Sequence, residues 1–260
     1  MFQLCSIPHP TDNDLDHFQH LVLDKEIDPN KQDSSSRTPL QILFYCNHSK
    51  GRSLFRMTRA LLQRNCVDLQ VKDEDDWNVL LAACFFSCCG SHLFDIVRLL
   101  VDHGIDLRAT NRRGWTALHA LCCRPNQRGF VPDMLEIIQF LLYNGVNLHT
   151  KSADGSNALS ALVSNHYNHP QLSSIVRLMV LNCIDVNAVN FVNQNTLTIL
   201  CSKYDGDERE LFNIAKLLIE HGIDVHHRDI NGHRAVDFLL KRRGYSESYE
   251  EIIRLIRRPL

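Results

Sequence analysis

Asn111-Arg112-Arg113-Gly114-Trp115-Thr116-Ala117-Leu118-His119 opens the stretch that decides the fold, and Leu141-Leu142-Tyr143-Asn144-Gly145-Val146-Asn147-Leu148 closes it. Between them lie two helical runs separated by a polar interruption. In the second run Met134, Ile137, Ile138, Leu141 and Leu142 fall at i, i+3, i+4, i+7 and i+8, which is one face of a helix. Leu118, Leu121 and Cys122 do the same for the first run.

This order of events recurs. With Leu118 as marker, the equivalents are Leu40, Leu80, Leu159, Leu197 and Val236, at successive intervals of 40, 38, 41, 38 and 39 residues by subtraction. A second series, placed where each second helix ends, is Asn65, Gly104, Gly145, Asn182 and Gly222. Gly and Asn tolerate the left-handed backbone that terminates a helix. Two series in step define a repeat of turn, helix, loop, helix and extended arm. The arms read aliphatic-acid-aliphatic, as in Ile105-Asp106-Leu107, Ile184-Asp185-Val186 and Ile223-Asp224-Val225, so arm and turn together predict a short hairpin finger.

These residues resemble the ankyrin repeat, whose unit opens Asp-x-x-Gly-x-Thr-Pro-Leu-His and ends Leu-Leu-x-x-Gly-Ala-Asp-Val-Asn-Ala. Arg37-Thr38-Pro39-Leu40 and Gly114 to His119 match the opening; Leu99 to Asp106, Leu217 to Val225, and Ile184-Asp185-Val186-Asn187-Ala188 match the close. The resemblance implies an all-α solenoid of helix-loop-helix units with short β-hairpin or turn fingers. It divides residues 1–260 as one domain: a partial capping unit 1–32, repeats 33–72, 73–110, 111–151, 152–189 and 190–228, and a C-terminal capping repeat 229–260. Ankyrin units run about 33 residues, and the surplus here is expected between the two helices. Those loops read Asn47 to Arg52, Cys88 to His92, Arg124 to Gly129, Asn165 to Pro170, Lys203 to Glu210 and Arg242 to Ser246.

In residues 11–30, Thr11 or Asp12 can cap a helix whose Leu15, Phe18 and Val22 share a face. Arg234 stands where Thr is usual in the last unit, and the charged end Arg254 to Arg258 suits a capping repeat with a polar outer face.

Net charge is −2 and 44% of residues are hydrophobic, which implies no general attraction to nucleic acid or anionic membrane. No apolar run approaches the roughly 20 residues of a membrane helix. Met1 to Pro10 lacks the regions of a signal peptide. Of ten cysteines, Cys84, Cys122 and Cys201 share one slot on the first helix, and Cys66 and Cys183 share another after the helix-ending Asn. All five read as small core residues, which places the chain in a reducing compartment, cytoplasm or nucleus.

No Gly-rich phosphate loop, serine elbow or zinc-protease motif occurs, so no catalytic residue and no cofactor is expected. Asp205-Gly206-Asp207-Glu208 is acidic, but a calcium loop opening at Asp205 needs an acid where Lys216 stands. Cys84, Cys88, Cys89, Cys122, Cys123 and His92 could be grouped as zinc ligands, yet they contain no Cys-x-x-Cys pair. His119 is expected to stiffen its turn by local hydrogen bonding. His103 and His221 sit at helix C-termini, where a His interacts well with the dipole. His226 and His227 lie on an arm and read as exposed.

Trp77 and Trp115 occupy the same slot in adjacent units. By resemblance that slot is variable and faces a concave groove, along with Glu74, Asp75, Phe85, Phe86, Arg112, Arg113, Arg124, Phe191 and Lys203. Aromatics beside arginines make binding hot spots. The expected partner-binding residues are therefore Trp77, Phe85, Arg112, Arg113, Trp115, Arg124 and Phe191. The plainer reading is that each Trp covers its own finger, and that Glu74 to Asp76 pair with Arg112 and Arg113 across neighbouring turns. The function expected is non-catalytic protein recognition by a monomer, with a targeting module of a larger assembly, such as a ubiquitin-ligase adaptor, as the alternative. Asn187 resembles the asparagine that an oxygen-dependent hydroxylase modifies in ankyrin repeats.

Overall fold

Five of the six expected opening residues build their turns in the same way. Asp73 Oδ1 accepts the N–H of Asp75 (3.0 Å) and of Trp77 (2.9 Å), and the Asp73 N–H reaches the Trp77 carbonyl at 3.1 Å. Asn111, Asn190 and Asp229 repeat this set one unit after another, and Asp33 opens the first such turn. Ser152 lacks the acceptor, and Asp154 supplies it to Ser152 Oγ and to the Ser156 N–H. The fourth residue of every turn has positive φ: Ser36, Asp76, Gly114, Gly155, Asn193 and Gly232. The turn therefore tolerates several residue types there, because side-chain acceptors hold its backbone.

Thr38, Asn78, Asn157 and Asn195 cap the first helices that follow them. Thr38 N–H donates to Gln41 Oε1 (2.8 Å), Asn157 Oδ1 accepts from Ser160 N (3.0 Å) and Asn195 Oδ1 from Thr198 N (3.0 Å). Thr116 N–H and Oγ1 converge on His119 Nδ1, which is the stiffening role expected of His119. An accepting Nδ1 leaves the ring proton on Nε2. Spare amide donors of these caps tie one repeat to the next: Gln41 Nε2 reaches the Trp77 carbonyl (2.8 Å), and Asn157 Nδ2 reaches the Asp185 carbonyl (2.7 Å).

The computed structural model describes residues 1–7, 10–46, 51–64, 66–86, 92–124, 131–241 and 247–257. Among them fourteen helices alternate along the chain: α1 (Phe2–Cys5), α2 (Asp12–Leu23), α3 (Pro39–Cys46), α4 (Gly51–Leu62), α5 (Val79–Phe86), α6 (Leu93–Asp102), α7 (Ala117–Cys122), α8 (Met134–Tyr143), α9 (Ala158–Asn165), α10 (Leu172–Leu181), α11 (Thr196–Lys203), α12 (Glu208–Glu220), α13 (Ala235–Lys241) and α14 (Glu247–Arg257). They fall into two compact units, Met1–Asn147 and Leu148–Leu260. In the first, α1, α3, α5 and α7 pack in one row and α2, α4, α6 and α8 in another. In the second the rows are α9, α11, α13 and α10, α12, α14. The first-helix marker leucines are all buried, as are Ile96, Leu100, Ile137 and Leu141 on second helices. A unit with two apolar faces can cover them only with its neighbours.

The fingers differ from the expected hairpins: among the described residues no strand forms. Turn and arm instead bond sideways. Asn30 Nδ2 donates to the Cys66 carbonyl (2.7 Å) while Asn30 Oδ1 accepts the Asp68 N–H (2.7 Å). Gln70 and Asn187 bridge Gly104 to Asp106 and Gly222 to Asp224 in the same way. The exposed Asn187 is therefore a link between arms.

The helix-ending series needs one correction. Gly104, Gly145 and Gly222 have positive φ as expected, but Asn182 has φ −90° and the left-handed residue is Cys183 (φ 62°). Asn182 instead matches His103, Asn144 and His221. Each donates from its side chain to the carbonyl four residues back, at 2.7–2.8 Å, which occupies an otherwise orphaned acceptor. Asn65 lies outside the described residues.

The cysteine reading splits accordingly. Cys84, Cys122 and Cys201 are buried, whereas Cys66 and Cys183 are exposed, because they stand in the glycine slot at the helix end and not in the core. Burial pushes the Cys84 thiol up to about 12 and holds the Cys122 thiol well above its ordinary value. The thiolate is the reactive form. Alkylation of the native protein near pH 8 is thus expected to label Cys66 and Cys183 and to spare Cys84, Cys122 and Cys201 until denaturant is added; peptide mass mapping reads the result. Labelling of Cys84 at the rate of Cys183 would contradict the burial described.

The surplus length is only partly loop. Gly51, Arg52, Asn165, Lys203 and Glu208 to Glu210 are helical, so longer helices absorb some of it. The loop of residues 166–171 buries His166 and His169, and the next turns Tyr204 inward. Asp207 caps α12 by accepting the Arg209 N–H at 2.9 Å, a structural use of the acidic stretch. The remaining expected loop residues 47–50, 88–91, 125–129 and 242–246 lie outside the described residues, as does Arg258. At the N-terminus Thr11 caps α2 with Asp14, and Leu15, Phe18 and Val22 are buried. Helix α1 was not legible in the pattern; it packs on α3 and completes the partial unit. No described helix is long and apolar enough to cross a membrane.

Candidate functional site

Adjacent turns and the end of α5 converge in the first unit. The backbones of Trp77 and Trp115 are clamped by Asp73 and Asn111, and the Arg112 N–H donates to the Asp75 carbonyl at 3.1 Å, joining the two turns. The indole rings stand 6.0 Å apart between centroids, edge to face at 82°. Phe85 lies 5.3 Å from Trp77 and 5.5 Å from Trp115, and Phe86 lies 5.0 Å from Trp77. These tilted pairs are the arrangement that ring quadrupoles prefer. Together with Asp75, Asn111, Arg112 and Arg113 they line a cavity of about 340 Å³.

Five of the seven expected residues therefore meet in one place: Trp77, Phe85, Arg112, Arg113 and Trp115. Two do not. Arg124 is 1% exposed, a correction to its place on a binding surface; it lies at the end of α7, where its charge acts on the buried Cys84. Phe191 is 76% exposed, on a turn of the second unit. Trp77 also departs from expectation. It is 8% exposed, its ring packed among Phe85, Phe86 and Trp115, while Trp115 is half-buried.

Arg112 stands 3.9 Å from Asp75 and 3.8 Å from Asp76, so the expected pairing across turns exists. The groups are largely exposed, and such pairs contribute about 0–1 kcal/mol. The Arg113 guanidinium lies 5.3 Å over Trp115. Lys203, also expected on the surface, donates to the Ser164 carbonyl within the second unit.

Sequence reasoning missed an extension of this cluster. The Tyr45 ring lies 4.3 Å from Phe86, Arg37 lies 4.2 Å over Tyr45, and the Tyr45 hydroxyl donates to the Asp73 carboxylate. Burial and that carboxylate raise the phenol well above its ordinary value, so it remains a donor. The repeat register held the signal: Arg37 occupies the slot of Trp77 and Trp115, and Tyr45 that of Phe85.

No group of three or more His, Cys, Asp or Glu among the described residues is placed to hold a metal ion. Of the grouped cysteines, Cys88 and Cys89 lie outside the described residues.

Two family models match the chain: one described as "Ankyrin repeats (many copies)" over residues 85–124, and one described as "Ankyrin repeat" over residues 113–153. The solved ankyrin repeat domain from Acinetobacter baumannii AYE superposes with a TM-score of 0.61 at 21% identity, covering 82% of this chain and 95% of that one. This is an ankyrin-repeat protein. The ankyrin repeat domain of Bcl-3 agrees, with a TM-score of 0.60 at 20% identity over 94% of both chains. Among curated proteins, the transient receptor potential cation channel subfamily V member 5 of Mus musculus and member 6 of Rattus norvegicus are each 41% identical over 70 residues, 27% of this chain. The chain spans only 9% and 8% of those two channels. Ankyrin repeats are in general protein–protein interaction modules, and their fold is typically a non-catalytic scaffold.

Proposed function

We propose that this ankyrin-repeat chain is a non-catalytic protein-recognition module and that its first unit holds a partner in the Trp77–Trp115 cavity. The supporting observation is that cavity itself: aromatic walls on clamped turns, with two arginines at the rim. Trp and Arg are enriched among residues that dominate binding energy. A rigid receptor surface keeps the ordering cost of association low. The same reading makes the chain a monomer that works on protein in the cytoplasm or nucleus, without nucleic acid or membrane.

Arg113→Ala and Trp115→Ala in one chain are expected to weaken capture of the partner by about tenfold or more, the effect of losing a hot spot. Quantitative mass spectrometry of captured proteins, wild type against variant, reads the difference. The variant should keep its helical melting profile, because Arg113 is exposed and Trp115 is only half-buried. An unchanged set of captured proteins would remove the cavity as the site. Trp77 is unsuitable for this test, since its buried ring supports the fold.

A further inference from the structure

The cavity has donors to spare and few open acceptors. Among the described residues neither the Trp77 nor the Trp115 indole N–H has an acceptor. Among the described residues the Arg113 guanidinium makes only its contact with the Trp115 face. Arg112 sits 3.8–3.9 Å from its carboxylates, beyond hydrogen-bond reach, so its N–H groups are also available. Of the lining acceptors, Asn111 Oδ1 takes the N–H of Arg113 and Trp115, while the largely exposed Asp75 carboxylate, 3.9 Å from Arg112, stays open. The remaining wall is aromatic.

A complementary ligand is rich in acceptors, poor in donors and apolar between them. A helical segment fails, because its carbonyls are already bonded internally. Strand addition needs an open sheet edge, and no strand exists among the described residues. A strongly acidic segment supplies acceptors but meets Glu74, Asp75 and Asp76 beside the arginines. A proline-rich segment satisfies every term. Proline has no N–H, its polyproline II helix leaves all carbonyls unbonded, and its rings pack on aromatic-lined grooves. Resting on the reading of this cavity as the partner site, we infer that it takes a proline-rich segment of a partner protein in the polyproline II conformation, with peptide carbonyls accepting from Trp77, Trp115 and Arg113.

Trp77 and Trp115 are the only tryptophans of the chain. The indole signals of a nitrogen–proton correlation spectrum therefore report on this cavity alone. Titration with a polyproline peptide to about millimolar concentration is expected to shift both signals saturably, while a glycine-serine peptide of equal length leaves them still. Trp115→Phe keeps a ring and removes a donor, and Arg113→Ala removes the rim; each is expected to weaken polyproline binding several-fold with an unchanged melting profile. Unmoved indole signals, or a Trp115→Phe variant that binds as wild type, would overturn the proposal. A parallel arm selects peptides from a random displayed library on the wild-type chain. Selected peptides without proline that move the indoles, where polyproline does not, would overturn the proline inference and leave the partner site standing. If no selected peptide moves them, both readings fall.

Discussion

Leu118→Ala is expected to destabilise the first unit by about 2–5 kcal/mol, the range for emptying a sealed apolar site. Leu118 is fully buried on α7, a helix that packs against both α5 and α8. Its helix thus shares packed space with one helix of the preceding repeat, α5, and one of its own, α8. Collapse of that space would need the rows to shift together, so relaxation recovers little. The loss also reaches past its own repeat, because nearest-neighbour interfaces carry much of a repeat array's stability. Phe191→Ala is the counterpart. It removes a larger side chain, but one 76% exposed, and should stay within about 0.5 kcal/mol of the parent. Chemical denaturation of both variants reads the contrast; equal midpoints would mean that the marker leucines do not face the core.

That contrast also shows what was readable beforehand and why. Leu118 and its five equivalents were found from spacing alone, because a helix of a stacked repeat has only one face that can be hidden. The turns were readable for the same reason: Asp73, Asn111 and Asp229 carry acceptors at the one place where a finger needs them. Failures came where a slot tolerates more than one residue. Cys183 takes a left-handed backbone that spacing assigned to Asn182, since a helix end can be closed by an unfavoured residue if its neighbours enforce the turn. Arg124 looked like a surface charge but is buried, and Arg charge alone does not report burial. Tyr45 and Arg37 were overlooked although both stand in register with the aromatic slots. Their contacts with Phe86 and Asp73 depend on how far one repeat leans on the next, which spacing does not encode. The cavity was therefore half legible: its walls came from slot equivalence, whereas the spare indole donors and the burial of Trp77 appear only in three dimensions.

Gly155→Ala is expected to cost the second unit about 2–4 kcal/mol, from two additive causes. The first is backbone strain. Gly155 has φ 82°, and a side chain in the left-handed region costs about 1–2 kcal/mol. The second is a collision with backbone. A Cβ on Gly155 would stand 2.6 Å from the Val189 carbonyl oxygen, and that atom belongs to the segment leading into the next turn, where Asn190 is already clamped by Gln194. Relief requires the two adjacent fingers to part, at the cost typical of overpacking, about 1–3 kcal/mol. Gly222→Ala isolates the first cause. Its φ is 80°, yet nothing lies within 4 Å of the added carbon. It also stiffens the unfolded chain, which returns about 0.4–1 kcal/mol, so its net cost should be near 1 kcal/mol or less. Gly155→Ala should therefore unfold at a clearly lower denaturant concentration than Gly222→Ala. If the two variants melted alike, the close approach of neighbouring fingers at Val189 would be wrong, and the narrow spacing between those fingers would have no support.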